Sequence, residues 1–140
     1  MSIQYQYSHW FHHNVHIYYE DTDHSGAVFH PNFLKYFERA REHIIGSEQL
    51  ARLWKNDGIG FAVYKANLTF QDGVEFADQC DIRTRFAIDG KYKTLWQQEV
   101  WRQNSTRPAV IGTIEMVCLD KEKRLQPLPN SVLTALNAIT

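Results

Sequence analysis

The stretch between Pro31 and Gly46 has the hydrophobic pattern of one amphipathic helix. Its apolar residues recur every three or four positions and share one face: Phe33, Leu34, Phe37, Ala40, Ile44 and Ile45. Largely off that face lie Lys35, Glu38, Arg39 and Glu42. Proline suits the first turn of a helix, where its missing N–H leaves no bond unmade, and glycine suits the stop after the last turn. The sequence therefore predicts a buried amphipathic helix between these two residues.

Stretches rich in β-branched and aromatic residues predict five strands. The first covers residues 12–19 and precedes the helix. The other four follow a polar break after the helix and cover residues 61–70, 79–88, 94–102 and 109–119. Glycine, proline and small polar residues separate these four stretches, as expected of turns, so we interpret them as a meander. A short apolar segment at residues 131–139, after Pro129, predicts a last helix.

The order of these elements indicates the fold class. One strand, a long helix and four further strands predict an α+β fold, in which an antiparallel sheet of about five strands packs on one helix. The sequence contains no internal repeat, low-complexity tract or linker, so we expect a single domain over residues 1–140. A chain of 140 residues with 44% hydrophobic residues is long enough to bury one core.

Charge and composition exclude several classes of protein. The formal net charge is -1, so no overall field attracts nucleic acid, and we predict no such partner. The first 20 residues lack the apolar core of a signal peptide, and no stretch approaches the roughly 18 apolar residues of a membrane span. We therefore expect a cytoplasmic protein without a membrane span. Cys80 and Cys118 lack metal or redox spacing and are expected to be buried, inert thiols.

Carboxylates stand directly before the predicted helix, in the segment YYEDTDHSGAVFHPNFLKYFERAR of residues 18–41. On sequence chemistry alone, such acids are most often helix caps or solvated turn residues. A functional alternative exists because N–H groups at a helix N-terminus can stabilise the negative charge of an attacked carbonyl oxygen. The same helix dipole favours the ionised form of Asp23. Gly26 permits a turn conformation that other residues rarely adopt.

The same segment resembles the signature of the 4-hydroxybenzoyl-CoA thioesterase family, which has the hotdog fold. In that family an aspartate, a small-residue turn with glycine, a His or Tyr and the start of the central helix come in this order. The segments GKYKTLWQQEVWR and LDKEKRLQPLPNSVLTAL are also similar to the family, so the likeness covers most of the chain. The resemblance implies a curved sheet wrapped around one long central helix, homodimers or homotetramers, and active sites between subunits.

The resemblance also implies roles for individual residues of an acyl-CoA thioesterase without a cofactor. Asp23 is implied as the catalytic carboxylate, either a nucleophile or a general base toward water, and the backbone N–H of His30 as the group that polarises the carbonyl. Glu38, two helical turns past His30, is a secondary candidate because some hotdog thioesterases use a helix-borne acid. A surface or intrahelical ion pair is the slightly favoured alternative for Glu38. We interpret Asp21 as a structural hydrogen-bonding group at the loop entrance.

Substrate contacts are predicted at two places. Lys91 and Lys93 lie in a loop between predicted strands, where they suit the phosphates of coenzyme A, although a solvated hairpin tip explains them equally well. Phe29 and Tyr36, together with Trp54, are candidates for an acyl pocket, although aromatic residues at such positions are more often core. The sequence does not distinguish coenzyme A from acyl carrier protein as the carrier of the acyl group.

Histidines crowd the N-terminus, at positions 9, 12, 13 and 16. Their offsets do not place three ligands on one face, and no cysteine or acid completes a known pattern, so we predict no metal site. The alternative to an enzyme is a non-catalytic hotdog domain that binds an acyl thioester or a protein partner.

Overall fold

The computed structural model describes residues 4–140 and contains six strands and three α-helices. In chain order the elements are β1 (Phe11–His16), a 3-10 turn (Tyr19–Asp21), α1 (Asn32–Ile45), α2 (Ser47–Arg52), a π-helical turn (Leu53–Asp57), β2 (Gly60–Phe70), β3 (Gln79–Asp89), β4 (Lys93–Arg102), β5 (Val110–Leu119), β6 (Leu125–Gln126) and α3 (Asn130–Ala138). Each of the four strands predicted after the helix agrees with the observed strand to within one residue. Helix α2 and the short strand β6 were not predicted from the sequence.

The strands form one antiparallel sheet in the order β1-β3-β4-β5-β2, with β6 paired to the end of β5. The meander predicted for all four later strands is therefore wrong for β2, which pairs with β5 from Gly60↔Leu119 to Phe70↔Val110. The reason lies in residues 71–78, which do not form a hairpin. They pair instead with the loop before α1, through the Ala27↔Glu75 bridge and a 2.7 Å hydrogen bond from the Val28 N–H to the Val74 carbonyl.

The central helix α1 has the predicted ends. Pro31 is its N-cap residue, and Gly46 ends it with a φ of 101° and an N–H that donates to the Glu42 carbonyl at 2.7 Å. The predicted buried face needs correction, because Leu34 is 42% exposed whereas Tyr36 and Arg41 are buried. The side of α1 that carries Leu34 is left uncovered by the rest of the described chain.

The hydrophobic core lies between α1 and the sheet. Phe37 is fully buried there, and a Cβ added at Gly112 of β5 would lie 2.7 Å from its ring. A glycine at this point therefore lets the helix approach the sheet closely. Cys80 and Cys118 are buried free thiols, as predicted, and burial raises their pKa values to about 12 and about 11. Within residues 4–140, no helix is long and apolar enough to cross a membrane.

Candidate active site

The loop before α1 contains a tight backbone turn that holds Asp23. The Asp23 N–H donates to the Ala27 carbonyl at 2.8 Å, and the Gly26 N–H donates to the Asp23 carbonyl at 3.0 Å. Gly26 has a φ of 86°, in the region that L side chains rarely adopt. The turn conformation expected at Gly26 is thus present, and it fixes Asp23 at the surface in front of the helix.

Asp21 ties this loop to the start of α1. Its carboxylate accepts a hydrogen bond from the Tyr18 N–H at 2.8 Å. Its backbone carbonyl accepts two more, from the Phe29 N–H at 2.9 Å and from the Asn32 side-chain amide at 3.0 Å. These bonds fit the interpretation of Asp21 as a structural group at the loop entrance.

The Asp23 carboxylate is held by Ser25. Its Oδ1 atom accepts hydrogen bonds from the Ser25 hydroxyl at 2.6 Å and from the Ser25 N–H at 2.8 Å. These two bonds are the main reason that the pKa of Asp23 lies below its usual value, and the charges of His24 and His30 lower it further. The helix dipole was expected to lower this pKa, whereas the hydrogen bond from the Ser25 hydroxyl is the largest cause. Within the described chain, Oδ2 accepts no hydrogen bond.

The backbone at the start of α1 leaves one donor unused. The first three N–H groups after Pro31 donate to the carbonyl oxygens of residues 29–31, at 2.8 to 3.3 Å. Pro31 itself has no N–H. None of the hydrogen bonds within residues 4–140 uses the N–H of His30. This N–H is therefore available to an external acceptor beside the loop that carries Asp23.

Aromatic residues surround His30. Its ring centroid lies 5.3 Å from that of Phe29 and 5.9 Å from that of Phe70, the last residue of β2. Phe29 and Phe70 are both about half exposed, at 48% and 49%. The predicted substrate residue Phe29 thus lies beside His30, and Phe70 extends the apolar surface. Phe70 was not predicted as a site residue, because the pattern of its strand does not distinguish an exposed aromatic residue from a core residue.

Glu38 and Trp54 lie at a different place, on the wall of a cavity of about 320 Å³ between α1 and β2. Glu38 follows His30 by eight residues, which is about 12 Å along a helix axis. Within one chain, the structure therefore does not bring Glu38 to the loop of Asp23. Arg41, which the sequence analysis did not single out, lines the same cavity. Its spacing of four residues from Phe37 and from Ile45 was the signal that placed it on the buried face.

Tyr36 is a residue of the hydrophobic core between α1 and the sheet. It is 2% exposed. Its hydroxyl makes no hydrogen bond within the described residues, and burial, followed by the charge of Asp21, raises its pKa above the usual value. The prediction of Tyr36 as a substrate contact therefore does not fit its place in the chain.

Lys91 and Lys93 lie at the opposite end of the sheet from the Asp23 loop. Lys93 forms an ion pair with Glu115 at 3.3 Å and lies over the ring of Tyr64. The 11 residues of β3 separate the two ends by roughly 35 Å at about 3.3 Å per residue. These lysines cannot reach the Asp23 loop of their own chain.

The N-terminal histidines take separate positions. The Nδ1 atom of His12 lies 2.7 Å from the carboxylate of Asp81, and the ring of His13 packs on that of His43. Within residues 4–140, no group of three or more His, Cys, Asp or Glu side chains is placed to hold a metal ion.

An antiparallel sheet that packs on one central helix is the arrangement of a hotdog-fold protein. The loop at the start of that helix carries an ionised carboxylate and an unused N–H. Residues 17–136 match the thioesterase-like superfamily, and the chain belongs to this family. The predicted membership of a hotdog thioesterase family is confirmed.

Known proteins agree with this assignment. The chain is 32% identical over 85 residues to the acyl-CoA thioesterase YbgC of Helicobacter pylori. The aligned residues make up 61% of this chain and 62% of that protein. It is 24% identical over 123 residues to the acyl-CoA thioester hydrolase YbgC of Escherichia coli, and this alignment covers 85% of this chain and 90% of that protein. The crystal structure of a 1,4-dihydroxy-2-naphthoyl-CoA thioesterase from Synechocystis shares the fold, with a TM-score of 0.83 and 20% sequence identity. The superposition covers 92% of this chain and 96% of that chain.

Proposed function

We propose that the protein is an acyl-CoA thioesterase, which hydrolyses a thioester to a free acid and coenzyme A. Membership of the family and the names of the relatives support this activity. The observation that carries the proposal is the pairing of an ionised Asp23, with one unbonded oxygen, and the unused N–H of His30 at the start of α1.

In the proposed reaction, the His30 N–H donates a hydrogen bond to the thioester carbonyl oxygen. Negative charge develops on that oxygen during attack, and a fixed backbone donor at a helix N-terminus stabilises it. Asp23 acts through Oδ2 in one of two ways: it attacks the carbonyl carbon itself, or it removes a proton from the water that attacks. In both routes the C–S bond breaks and the sulfur leaves as a thiolate that takes up a proton. In the general-base route, water bonds directly to the carbonyl carbon and gives the acid. In the nucleophilic route, Asp23 and the acyl group form an anhydride, and water then breaks its C–O bond to release the acid and restore the carboxylate.

We also propose a homodimer in which the β2 edges of two chains pair. The free edge of β2 exposes apolar side chains, with Val63 at 51%, Tyr64 at 65% and Phe70 at 49%, and an unpaired edge of this kind invites a further strand. Pairing across a two-fold axis makes the strands antiparallel, so the Gly60 end of one β2 lies beside the Phe70 end of the other. A homotetramer would consist of two such dimers.

This arrangement gives Lys91 and Lys93 a role that one chain does not allow. The hairpin that carries them lies at the Gly60 end of β2, and pairing of the edges brings it to the Asp23 loop of the other subunit. We propose that the partner subunit's Lys91 and Lys93 hold the phosphates of coenzyme A. Acyl carrier protein would present the same phosphopantetheine thioester without the nucleotide phosphates.

The cytoplasmic location stays a prediction.

The activity is tested with a panel of aliphatic and aromatic acyl-CoAs and one acyl carrier protein thioester, assayed by release of free thiol. We expect turnover of at least one thioester in metal-free buffer. Complete inactivity over the panel would support the non-catalytic binding domain instead. Activity that disappears with a chelator and returns with zinc would contradict the metal-free reaction.

The shared site is tested by mixing two defective variants. Asp23→Asn lacks the carboxylate, and the double variant K91A/K93A lacks the lysines. A mixed dimer contains one intact site, made by Asp23 from one chain and the lysines from the other, so kcat/KM should rise when the variants are refolded together. No recovery, or a clean monomer by sedimentation at micromolar concentration, would contradict the dimer.

A further inference from the structure

We propose that the cavity between α1 and β2 receives the acyl group and that Arg41 recognises an uncharged oxygen acceptor on it, such as an oxo or hydroxyl group. This inference rests on the proposed thioesterase function and extends it to the class of substrate. It assigns Arg41 as a specificity-determining residue, separate from the Asp23 loop.

Arg41 is held in one orientation by a buried network. It is 5% exposed, and its Nη1 donates to the side-chain oxygen of Gln98 at 2.9 Å. Gln98, which is fully buried, donates from its nitrogen to the Phe37 carbonyl and to the Thr84 hydroxyl, both at 3.0 Å. Every polar atom of the Gln98 side chain therefore makes a hydrogen bond, and this network fixes the Arg41 guanidinium between α1 and β4.

Part of the Arg41 guanidinium has no acceptor in the chain. Its Nε atom is buried and makes no hydrogen bond within residues 4–140. None of the ion pairs in the described part of the chain includes Arg41. Burial lowers its pKa to about 10, so the group stays protonated at neutral pH. A buried cation that forms no ion pair is costly, and a ligand that brings an acceptor oxygen would offset that cost.

The cavity that Arg41 lines suits the chain of an acyl group. Its volume is about 320 Å³, at the lower end of the range of about 300–1,000 Å³ found for small-molecule pockets. Most of its wall is apolar: Ile45, Leu50, Trp54, Phe61, Val63 and Met116. An apolar wall with one fixed cationic donor binds a hydrocarbon chain that carries a single polar group.

Two further wall residues favour an uncharged acceptor over a carboxylate. Glu38 and Glu42 both line the cavity, and the charge of Glu38 acts on Arg41, whose pKa it raises. Two carboxylates would repel a third, brought by an acyl chain that ends in an acid. An oxo or hydroxyl oxygen accepts the same hydrogen bond without that repulsion.

The cavity is also placed to meet a thioester in the proposed dimer. Gly60, Phe61 and Val63 of β2 form part of its wall. Antiparallel pairing of the β2 edges places this end of the strand beside the Phe70 end of the partner's β2, where the partner's His30 lies. The acyl group can thus extend from the catalytic loop of one subunit into the cavity of the other.

The test compares chains of one length. We would measure kcat/KM for octanoyl-CoA, for its 3-, 5- and 7-oxo analogues, and for suberyl-CoA, which ends in a carboxylate. Because a hydrogen bond to a charged donor stabilises by about 1.5–3 kcal/mol, the best oxo analogue should exceed octanoyl-CoA about tenfold or more. That ratio should fall to about one in Arg41→Met, and Arg39→Met, at an exposed position of the same helix, should keep it.

Binding separates this inference from the proposed function. Thioether analogues, in which a methylene replaces the thioester carbonyl, are not hydrolysed, so calorimetry with octyl-CoA and its oxo analogues measures recognition alone. Equal Kd values for all of them in the wild-type protein overturn the inference, even where octanoyl-CoA is turned over and the proposed function stands. A tenfold preference that Arg41→Met abolishes supports it even where no thioester is hydrolysed. If the carboxylate-ended analogue binds more strongly than the oxo analogues, the inference that the acceptor is uncharged is overturned. If Arg41→Met fails to fold, Arg41→Gln takes its place, and the preference for the oxo analogue over the unsubstituted chain is compared between Arg41→Gln and the wild-type protein.

Discussion

The loop before α1 and the middle of the same helix each carry a carboxylate, and their surroundings differ. Asp23 receives two hydrogen bonds from Ser25, which lower its pKa and leave one oxygen unbonded. The Glu38 carboxylate accepts no hydrogen bond within residues 4–140 and lines a mostly apolar cavity together with a buried arginine. The difference teaches that the donors of its own turn hold an exposed carboxylate in place and favour its ionised form, whereas a helix position alone provides no such donors.

The largest expected effect is at Asp23. Asp23→Asn keeps the shape of the side chain and removes the charge, so turnover of the best acyl-CoA should fall by roughly a hundredfold or more. Circular dichroism should show an unchanged fold, and Asp57→Asn, at an exposed position outside the loop, should keep full turnover. Near-normal turnover in Asp23→Asn, together with an inactive but folded Glu38→Gln, would transfer the catalytic role to the helix-borne acid.

The backbone donor is tested at the neighbouring position. His30→Pro deletes the N–H that we assign to the thioester carbonyl, and loss of one such donor should lower kcat by roughly a hundredfold. His30→Ala keeps the N–H and removes only the imidazole, so its kcat should fall much less. A folded His30→Pro variant with the kcat of His30→Ala would show that the backbone N–H plays no part.

Ser25→Ala sharpens the account of the Asp23 turn. Asp23 must be ionised to act, so activity is lost as the pH falls through its pKa in the folded protein. The Ser25 hydroxyl is the largest cause that lowers this pKa, and its removal should move the acidic limb of kcat/KM toward higher pH. Turnover on the alkaline side of that limb should change little. An unmoved acidic limb would mean that another group controls it.

The smallest effect is expected at Glu38. Glu38→Gln removes a charge near Arg41 without touching the Asp23 turn, so kcat should change less than about threefold. The value of kcat/KM for suberyl-CoA should rise, because one repulsive carboxylate is gone. A matched Glu48→Gln variant, at an exposed position of α2, should show neither change.

The parts of the fold that local chemistry controls were predictable from the sequence. Pro31 and Gly46 marked the ends of α1, and β-branched and aromatic residues marked the strands. The place of β2 in the sheet was not predictable in this way. It depends on residues 71–78, which pair with the loop before α1 and do not form a hairpin to β3. The covered side of α1 was also misjudged, because apolar residues extend beyond the face that the sheet covers. Leu34 lies outside that face and is exposed, whereas Arg41 lies four residues from both Phe37 and Ile45, on the covered face, and is buried.

The site shows the same limit. The motif located Asp23, Gly26 and His30 together, because they belong to one short loop. Lys91 and Lys93 were assigned to the same site, and only the length of the sheet shows that one chain keeps them apart. The cavity at Arg41 depends on β2 lying at the sheet edge, which no local pattern indicated.

The burial of both cysteines has a practical consequence for enzymology. Release of coenzyme A is commonly followed with a reagent that colours on reaction with free thiols, and such a reagent attacks the thiolate form. The protein has two cysteines, and both are buried with pKa values raised to about 12 and about 11. The folded enzyme should therefore contribute almost no background colour. A slow rise in colour without substrate would then report unfolding of the core, so one assay measures both turnover and integrity.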